Sequence, residues 1–176
     1  MNKKLFPGLL DAVMQKNGIN QVQLHKLTGI AVSRINNYLQ AKYRADVLLE
    51  FGNIPEVECV PSQLNQVFLN LIVNAAQAQP KGARGKIVIS TGTVEDKVWI
   101  QVSDNGVGIA KENLNKIFEP FFTTKEQGAG TGLGLSLSYG IIQKHHGSLT
   151  VSSEQGVGTT FRVEIPIHQT LGKEGK

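Results

Sequence analysis

The sequence predicts an α+β fold preceded by a small all-α module, and three observations carry that expectation. Residues 62–79 set Leu64, Val67, Phe68, Leu71, Ile72 and Ala75 at the i, i+3, i+4, i+7 spacing of an amphipathic helix. Two strand-like runs, 86–91 and 97–103, follow, and a second pair, 149–152 and 159–165, comes near the end of the chain. The first 45 residues instead show short helical periodicities.

Composition narrows the class. The 176 residues are 40% hydrophobic and 18% charged, which is too apolar and too weakly charged for a disordered chain. No apolar run approaches the ~20 residues needed to cross a bilayer. The basic start, Met1 to Pro7, has no apolar stretch behind it and does not read as a signal peptide. A single cysteine, Cys59, excludes an internal disulfide and fits a reducing compartment, so a cytoplasmic location is expected. Charge is divided unevenly. Residues 1–45 hold seven basic residues against Asp11, a net +6, while residues 46–176 sum to −2. A basic module of this size points to phosphate backbones or to a solvated basic surface.

The elements follow in order. Leu5, Leu9, Leu10, Val13 and Met14 form a first helical face, stopped by Asn17-Gly18. Asn20 and Gln23 make a capping box for a second helix to about Thr28, Gly29 supplies a tight turn, and Ile35, Tyr38 and Leu39 face inward from a third. Pro61-Ser62 opens the longer helix with Ser62 expected at its N-cap. Leu69 and Val73 extend its apolar surface, so cover on more than one side is expected. Glu95-Asp96 turns between the first strand pair. A glycine-rich stretch at 128–134 leads into a helix ending near His145, and Gln155-Gly156-Val157-Gly158 joins the last two strands. The end, 169–176, reads as a polar tail.

Three motifs carry chemistry. Gln66, Asn70, Asn74 and Gln77 form a polar stripe along the long helix, where Asn70 and Asn74, one turn apart, can present carbonyl oxygens to a hard cation such as Mg²⁺. Asp104 ends a strand before Asn105-Gly106-Val107-Gly108-Ile109; such a carboxylate can accept from an exocyclic amine like that of adenine, and the glycines let the backbone approach a flat ligand. Gly130-Thr131-Gly132-Leu133-Gly134-Leu135 opens a helix, where backbone N–H groups form an anion site. Taken singly, the stripe reads equally as a solvated face and Asp-Asn-Gly as a plain turn. The phosphate-loop pattern ending in Lys-Ser/Thr is absent.

In this order, Asn-Leu-Ile-Val-Asn-Ala-Ala (70–76), Asp-Asn-Gly-Val-Gly-Ile (104–109), Phe-Glu-Pro-Phe-Phe-Thr-Thr-Lys (118–125) and Gly-Thr-Gly-Leu-Gly-Leu (130–135) resemble the N, G1, F and G2 boxes of the sensor histidine kinase ATP-binding domain, a GHKL-superfamily module. Gly-Val-Gly-Thr-Thr-Phe (156–161) resembles its closing glycine motif. The resemblance implies a Bergerat-type two-layer α/β sandwich over residues 46–168, a mixed sheet with helices on one face, binding ATP and Mg²⁺. It implies Asp104 at the adenine amine, Gly106, Gly108 and Ile109 around the base, and Thr159 supporting it. It implies Asn74, with Asn70, at the metal, and Gln77 beside them. Residues 119–131 would be a mobile lid anchored by Phe121 and Phe122, with Thr123, Thr124 and Thr131 at the nucleotide and Lys125 reaching a terminal phosphate. Gly130, Gly132, Leu133, Gly134 and Leu135 would line the phosphates. Hydrolytic relatives resemble this helix but carry a Glu one turn before the metal-binding Asn. Asn70 stands there and cannot take a proton, so transfer is expected over hydrolysis, with Asn70 and Lys125 as the catalytic pair.

The implied acceptor is a histidine. None of His25, His145, His146 and His168 has the acidic neighbour and long helix typical of that acceptor; His145 and His146 sit where a helix C-terminus favours a cation. The phosphoacceptor domain is therefore expected to be missing, as in a chimera or truncation, and the partners are that domain and a response regulator. Residues 18–44 resemble the lambda-repressor-like helix-turn-helix family, which implies Val32, Ser33, Arg34 and Asn37 in the major groove and Gln21 at a phosphate. The alternatives for residues 1–45 are DNA binding, which would make the chain a regulator with a nucleotide switch, or a packing or homodimerising cap.

Overall fold

A computed structural model describes residues 45–80, 82, 84–125 and 130–168. The helices expected over residues 1–44, the DNA contacts assigned there and the tail at 169–176 lie outside the described residues. The elements are β1 (Ala45–Phe51), α1 (Pro61–Gln77), β2 (Gly85–Val94), β3 (Lys97–Asp104), α2 (Gly134–Lys144), β4 (Ser148–Glu154) and β5 (Gly158–Pro166). A single 3-10 turn, Lys111–Asn113, lies between β3 and α2.

The five strands form one mixed sheet in the order β1-β2-β3-β5-β4. β1 runs parallel to β2, and every other pair is antiparallel. Alternation decides the faces. Ile87, Ile89, Val98, Ile100, Val102, Phe161, Val163 and Ile165 are buried, whereas the intervening Gln101, Ser103, Thr160 and Arg162 stand on the outer side. On that outer face Arg162 lies 4.5 Å from the Trp99 ring centroid and pairs with Glu164 at 2.8 Å. The buried face is covered by α1 and α2, which also pack on each other. α1 contributes Leu64, Val67, Phe68, Leu71, Ile72, Ala75 and Ala76, the stripe its periodicity foretold. Each large side chain so buried contributes about 1.5–3 kcal/mol. This is the expected α+β sandwich with helices on one face.

Several expectations need correction. Ser62 is not the N-cap of α1: Pro61 occupies its first turn and Val60 is the cap, without a side-chain cap bond. Proline suits a first-turn position because its missing N–H has no intrahelical partner there. Leu69 is 46% exposed, so that side of α1 is not covered. β1 was not expected at all. The turn at Glu95-Asp96 is present, with Glu95 at φ 54°, and β2 runs three residues further than its pattern suggested.

Candidate functional site

The sheet builds one wall of the site. Register sets Val47, Ile87, Asp104, Thr159 and Ser153 in one row across all five strands on the helix-covered face. The row changes from apolar to polar at Asp104, which places a carboxylate at the end of the core. Asp104 Oδ1 accepts from the Gly106 N–H at 2.8 Å. Burial pushes its pKa above the ordinary carboxylate value, opposed by the backbone N–H groups of Gly106 and Thr159. Beside it the Ser153 hydroxyl accepts from the Ile109 N–H at 2.8 Å and lies 2.9 Å from both the Gly158 carbonyl oxygen and Thr159 Oγ1. These contacts fasten the turn at 105–109 onto the β4–β5 hairpin. Gly108 needs to be glycine here, since at φ +67° any Cβ would overlap the Glu154 carbonyl oxygen.

α1 forms the opposite wall. Asn70 Nδ2 donates to the Gly134 carbonyl at 3.2 Å and to Ser138 Oγ at 3.3 Å. Ser138 is fully buried and its hydroxyl donates to Gly134 O at 2.9 Å, so Asn70 is held against the first turn of α2 by its amide nitrogen. One and two turns on, the side-chain oxygens of Asn74 and Gln77 accept from the Lys125 ammonium, Asn74 at 3.2 Å. α2 begins at Gly134 with no side-chain cap at Leu133, and Gly134 and Leu135 of its first turn border the same space.

Between the walls lies a cavity of about 640 Å³. It brings together Asn70, Asn74, Gln77, Asp104, Gly108, Ile109, Thr123, Thr124, Lys125, Gly130, Thr131, Gly132, Gly134, Leu135 and Thr159, all of them singled out by sequence. Gly106 and Leu133 are not among its lining residues. Gly106 is buried against the Ala78 carbonyl, shaping the turn from behind, and the Leu133 side chain is 41% exposed. Val73, Ala78, Val107, Ile117 and Phe161 also line the cavity. Their apolar character gives no hint of a site in the sequence, and only the tertiary fold turns them toward a ligand.

One further expectation fails. Phe122 packs on the core and lines the cavity, but the Phe121 side chain is 74% exposed. Phe121 anchors through its backbone, donating its N–H to the Gly132 carbonyl at 3.0 Å from a φ of 68°. His145 stands at the C-cap of α2, where the sequence placed it, but it is not left to the helix end alone. It is 3% exposed, its Nε2 accepts from the Val60 N–H at 3.1 Å, and its Nδ1 contacts the Ile141 carbonyl at 2.8 Å. With the Val60 N–H donating to it, Nε2 accepts, while Nδ1 faces a carbonyl oxygen that can only accept.

Residues 59–169 match the family of histidine kinase-, DNA gyrase B- and HSP90-like ATPases, well over half of the chain. The chain belongs to this family. Among relatives of this ATPase domain, sporulation kinase E of Bacillus subtilis (strain 168) is 43% identical over 118 residues, 66% of this chain and 15% of that protein. Sensor histidine kinase ZraS of Escherichia coli (strain K12) is 35% identical over 157 residues, 89% of this chain and 32% of that protein. The chain thus spans less than a third of either relative. Coverage of 89% leaves only 11% of the chain unmatched, so the likeness to ZraS reaches into the first 44 residues. The nucleotide-free catalytic domain of histidine kinase ThkA superposes with a TM-score of 0.62 at 35% identity, covering 76% of this chain and 91% of that one. No helix among the described residues is long and apolar enough to cross a membrane.

Proposed function

We propose that this chain is the ATP-binding catalytic part of a sensor histidine kinase and transfers the γ-phosphoryl group of ATP to a histidine on a phosphoacceptor domain. The observation that carries the reading is one cavity with a carboxylate at its base end and amide oxygens, an ammonium and a helix N-terminus at its other side. Asp104 accepts from the adenine amine, while Gly106, Gly108, Ile109 and Thr159 shape the base pocket. Thr123, Thr124, Gly130, Thr131, Gly132, Leu133, Gly134 and Leu135 lie along the phosphates, where backbone N–H groups at the start of α2 favour negative charge.

The residues fit a hard cation. Asn74 and Gln77 already direct oxygens at a positive group, the Lys125 ammonium, and no cluster of three His, Cys, Asp or Glu side chains competes as a metal site among the described residues. Asn74, with Asn70 and Gln77 beside it, would hold Mg²⁺, which supplies charge neutralisation for the phosphates when bound. Lys125 is placed to follow the terminal phosphate. In the transfer the bond from the γ-phosphorus to the β–γ bridging oxygen breaks, an N–P bond forms to the acceptor imidazole, ADP leaves and the imidazole gives up a proton. Asn70 has no basic lone pair to activate water, and its amide nitrogen is tied to Gly134 and Ser138. The site therefore favours transfer over hydrolysis.

The companion proposals are a catalytic unit over 46–168, cytoplasmic action, and a response regulator downstream. A second reading, a DNA-binding regulator, rests on the net +6 of residues 1–45. The likeness to ZraS in that stretch favours the kinase. Titration with ATP and Mg²⁺ tests the main proposal: binding abolished in Asp104→Ala supports it, and unchanged affinity removes the adenine assignment.

A further inference from the structure

We infer that His145 is a positioning residue of the nucleotide site, acting through α1. The inference rests on the nucleotide reading of the cavity. An α-helix leaves its first N–H groups without intrahelical partners, and a capping box satisfies the one at the N-cap with the side chain three residues on. In α1 the N-cap is Val60 and that third position is Gln63, yet the acceptor is a ring from another helix: His145 Nε2, 3.1 Å from the Val60 nitrogen and 85 residues away in sequence. The same ring spends its Nδ1 on the Ile141 carbonyl in the last turn of α2. One buried imidazole thus fastens the start of α1 to the last turn of α2.

The two helices are tied again at their other junction, where Asn70 bonds to Gly134 and Ser138. Val60 and Asn70 are separated by about 15 Å of helix at 1.5 Å per residue. Besides their apolar packing, the pair is therefore tied by hydrogen bonds at two points, and the cavity opens beyond the second, where Asn74 and Gln77 of α1 face the glycine-rich start of α2. Releasing the first tie allows a small shift of α1 about Asn70 within that packing, which changes the spacing between the amide oxygens and the phosphate-facing N–H groups. The base subsite is built on β3, β4 and β5, and its turn is fastened to the far end of α1 by the Val107 N–H, which donates to the Ala78 carbonyl at 2.9 Å. That bond lets the base turn move with the end of α1, so His145 acts chiefly on the phosphate and metal half, whose groups must converge from both helices.

Three variants of the full chain separate this from a general structural role. His145→Phe keeps a buried ring but removes the acceptor. Val60→Pro removes the donor at an exposed position whose extended φ of −93° lies about 30° from the value proline prefers. His145→Gln retains an acceptor oxygen near the Nε2 position. Affinities for adenosine and for ADP with Mg²⁺ are measured by calorimetry, with hydrogen exchange at the Val60 amide as a readout independent of ligand. His145→Phe and Val60→Pro are expected to weaken ADP·Mg²⁺ about tenfold while adenosine stays within about twofold, because sub-ångström misplacement acts on the groups that must converge. His145→Gln is expected to stay near wild type on both ligands. The Val60 amide is expected to be protected in wild type and to exchange freely in His145→Phe. Equal losses on both ligands, no loss on either, or a Val60 amide equally exposed in both proteins would overturn the inference. Absence of binding to wild type overturns the nucleotide reading and this inference with it; a failure at Val60 alone overturns only this inference.

Discussion

Replacing Asp104 with Asn removes one charge and almost no volume, and the structure says what the new amide must do. The Gly106 N–H lies 2.8 Å from Oδ1 and can donate only to an oxygen. The Asn carbonyl is held there, which turns its NH2 toward the base. An acceptor for the adenine amine becomes a donor facing a donor. A hydrogen bond to a charged group contributes about 1.5–3 kcal/mol, so ADP affinity should fall by about 10- to 150-fold. Folding should not suffer in parallel. Burial raises the Asp104 pKa, so the stability this group contributes is present below its unfolded value and lost as pH rises through the folded one. At neutral pH the ionised form is a cost that Asn avoids, and the melting temperature of Asp104→Asn should not be lower than that of wild type. Calorimetry with ADP and with inosine diphosphate, which has a carbonyl in place of the amine, gives the sharpest reading. Wild type should prefer ADP and the variant should prefer inosine diphosphate. Equal discrimination by both proteins would refute the assignment of Asp104 to the base.

Three other outcomes follow from the geometry. ADP affinity should fall on acidification with a midpoint above the ordinary Asp value of 3.8, and Asp104→Asn should abolish that dependence in the same titrations. Gly108→Ala, at φ +67° and against the Glu154 carbonyl, should lose about 2 kcal/mol or more in urea unfolding, combining the left-handed penalty with overlap. Lys125→Met is a surface change that should alter stability by no more than about 0.5 kcal/mol, yet it should erase the difference in affinity between ATP and ADP measured with Mg²⁺.

What could be seen in the sequence was whatever local spacing encodes. The α1 stripe, the strand alternations and the glycines at 106, 108, 132 and 134 each repeat within a few residues, and their ordered combination located the polar and glycine residues of the cavity but not Val73, Ala78, Val107, Ile117 or Phe161. β1 was invisible because its parallel partner, β2, lies about forty residues further on and no turn announces it. Ser62 was a sound N-cap by residue preference, but Pro61 in the first turn moved the cap to Val60. His145 showed only its place at a helix end, because its partner Val60 is remote in sequence. Phe121 shows a third limit: adjacent aromatics suggest paired anchors, whereas a left-handed backbone at Phe121 turns one ring outward and leaves Phe122 to pack. Gln66, in phase with Asn70 and Asn74, is exposed and away from the cavity lining, since α1 extends beyond the site.

The central claim is transfer of phosphate to a histidine rather than to water. The direct measurement incubates the chain with γ-labelled ATP, Mg²⁺ and a separately purified histidine phosphoacceptor domain, following label on protein and free phosphate together. The expected result is acid-labile, base-stable label on an acceptor histidine, lost in Asp104→Asn and Asn74→Ala, with little free phosphate when the acceptor is omitted. ATP converted to ADP and free phosphate at the same rate with and without acceptor, and no label on protein, would contradict it.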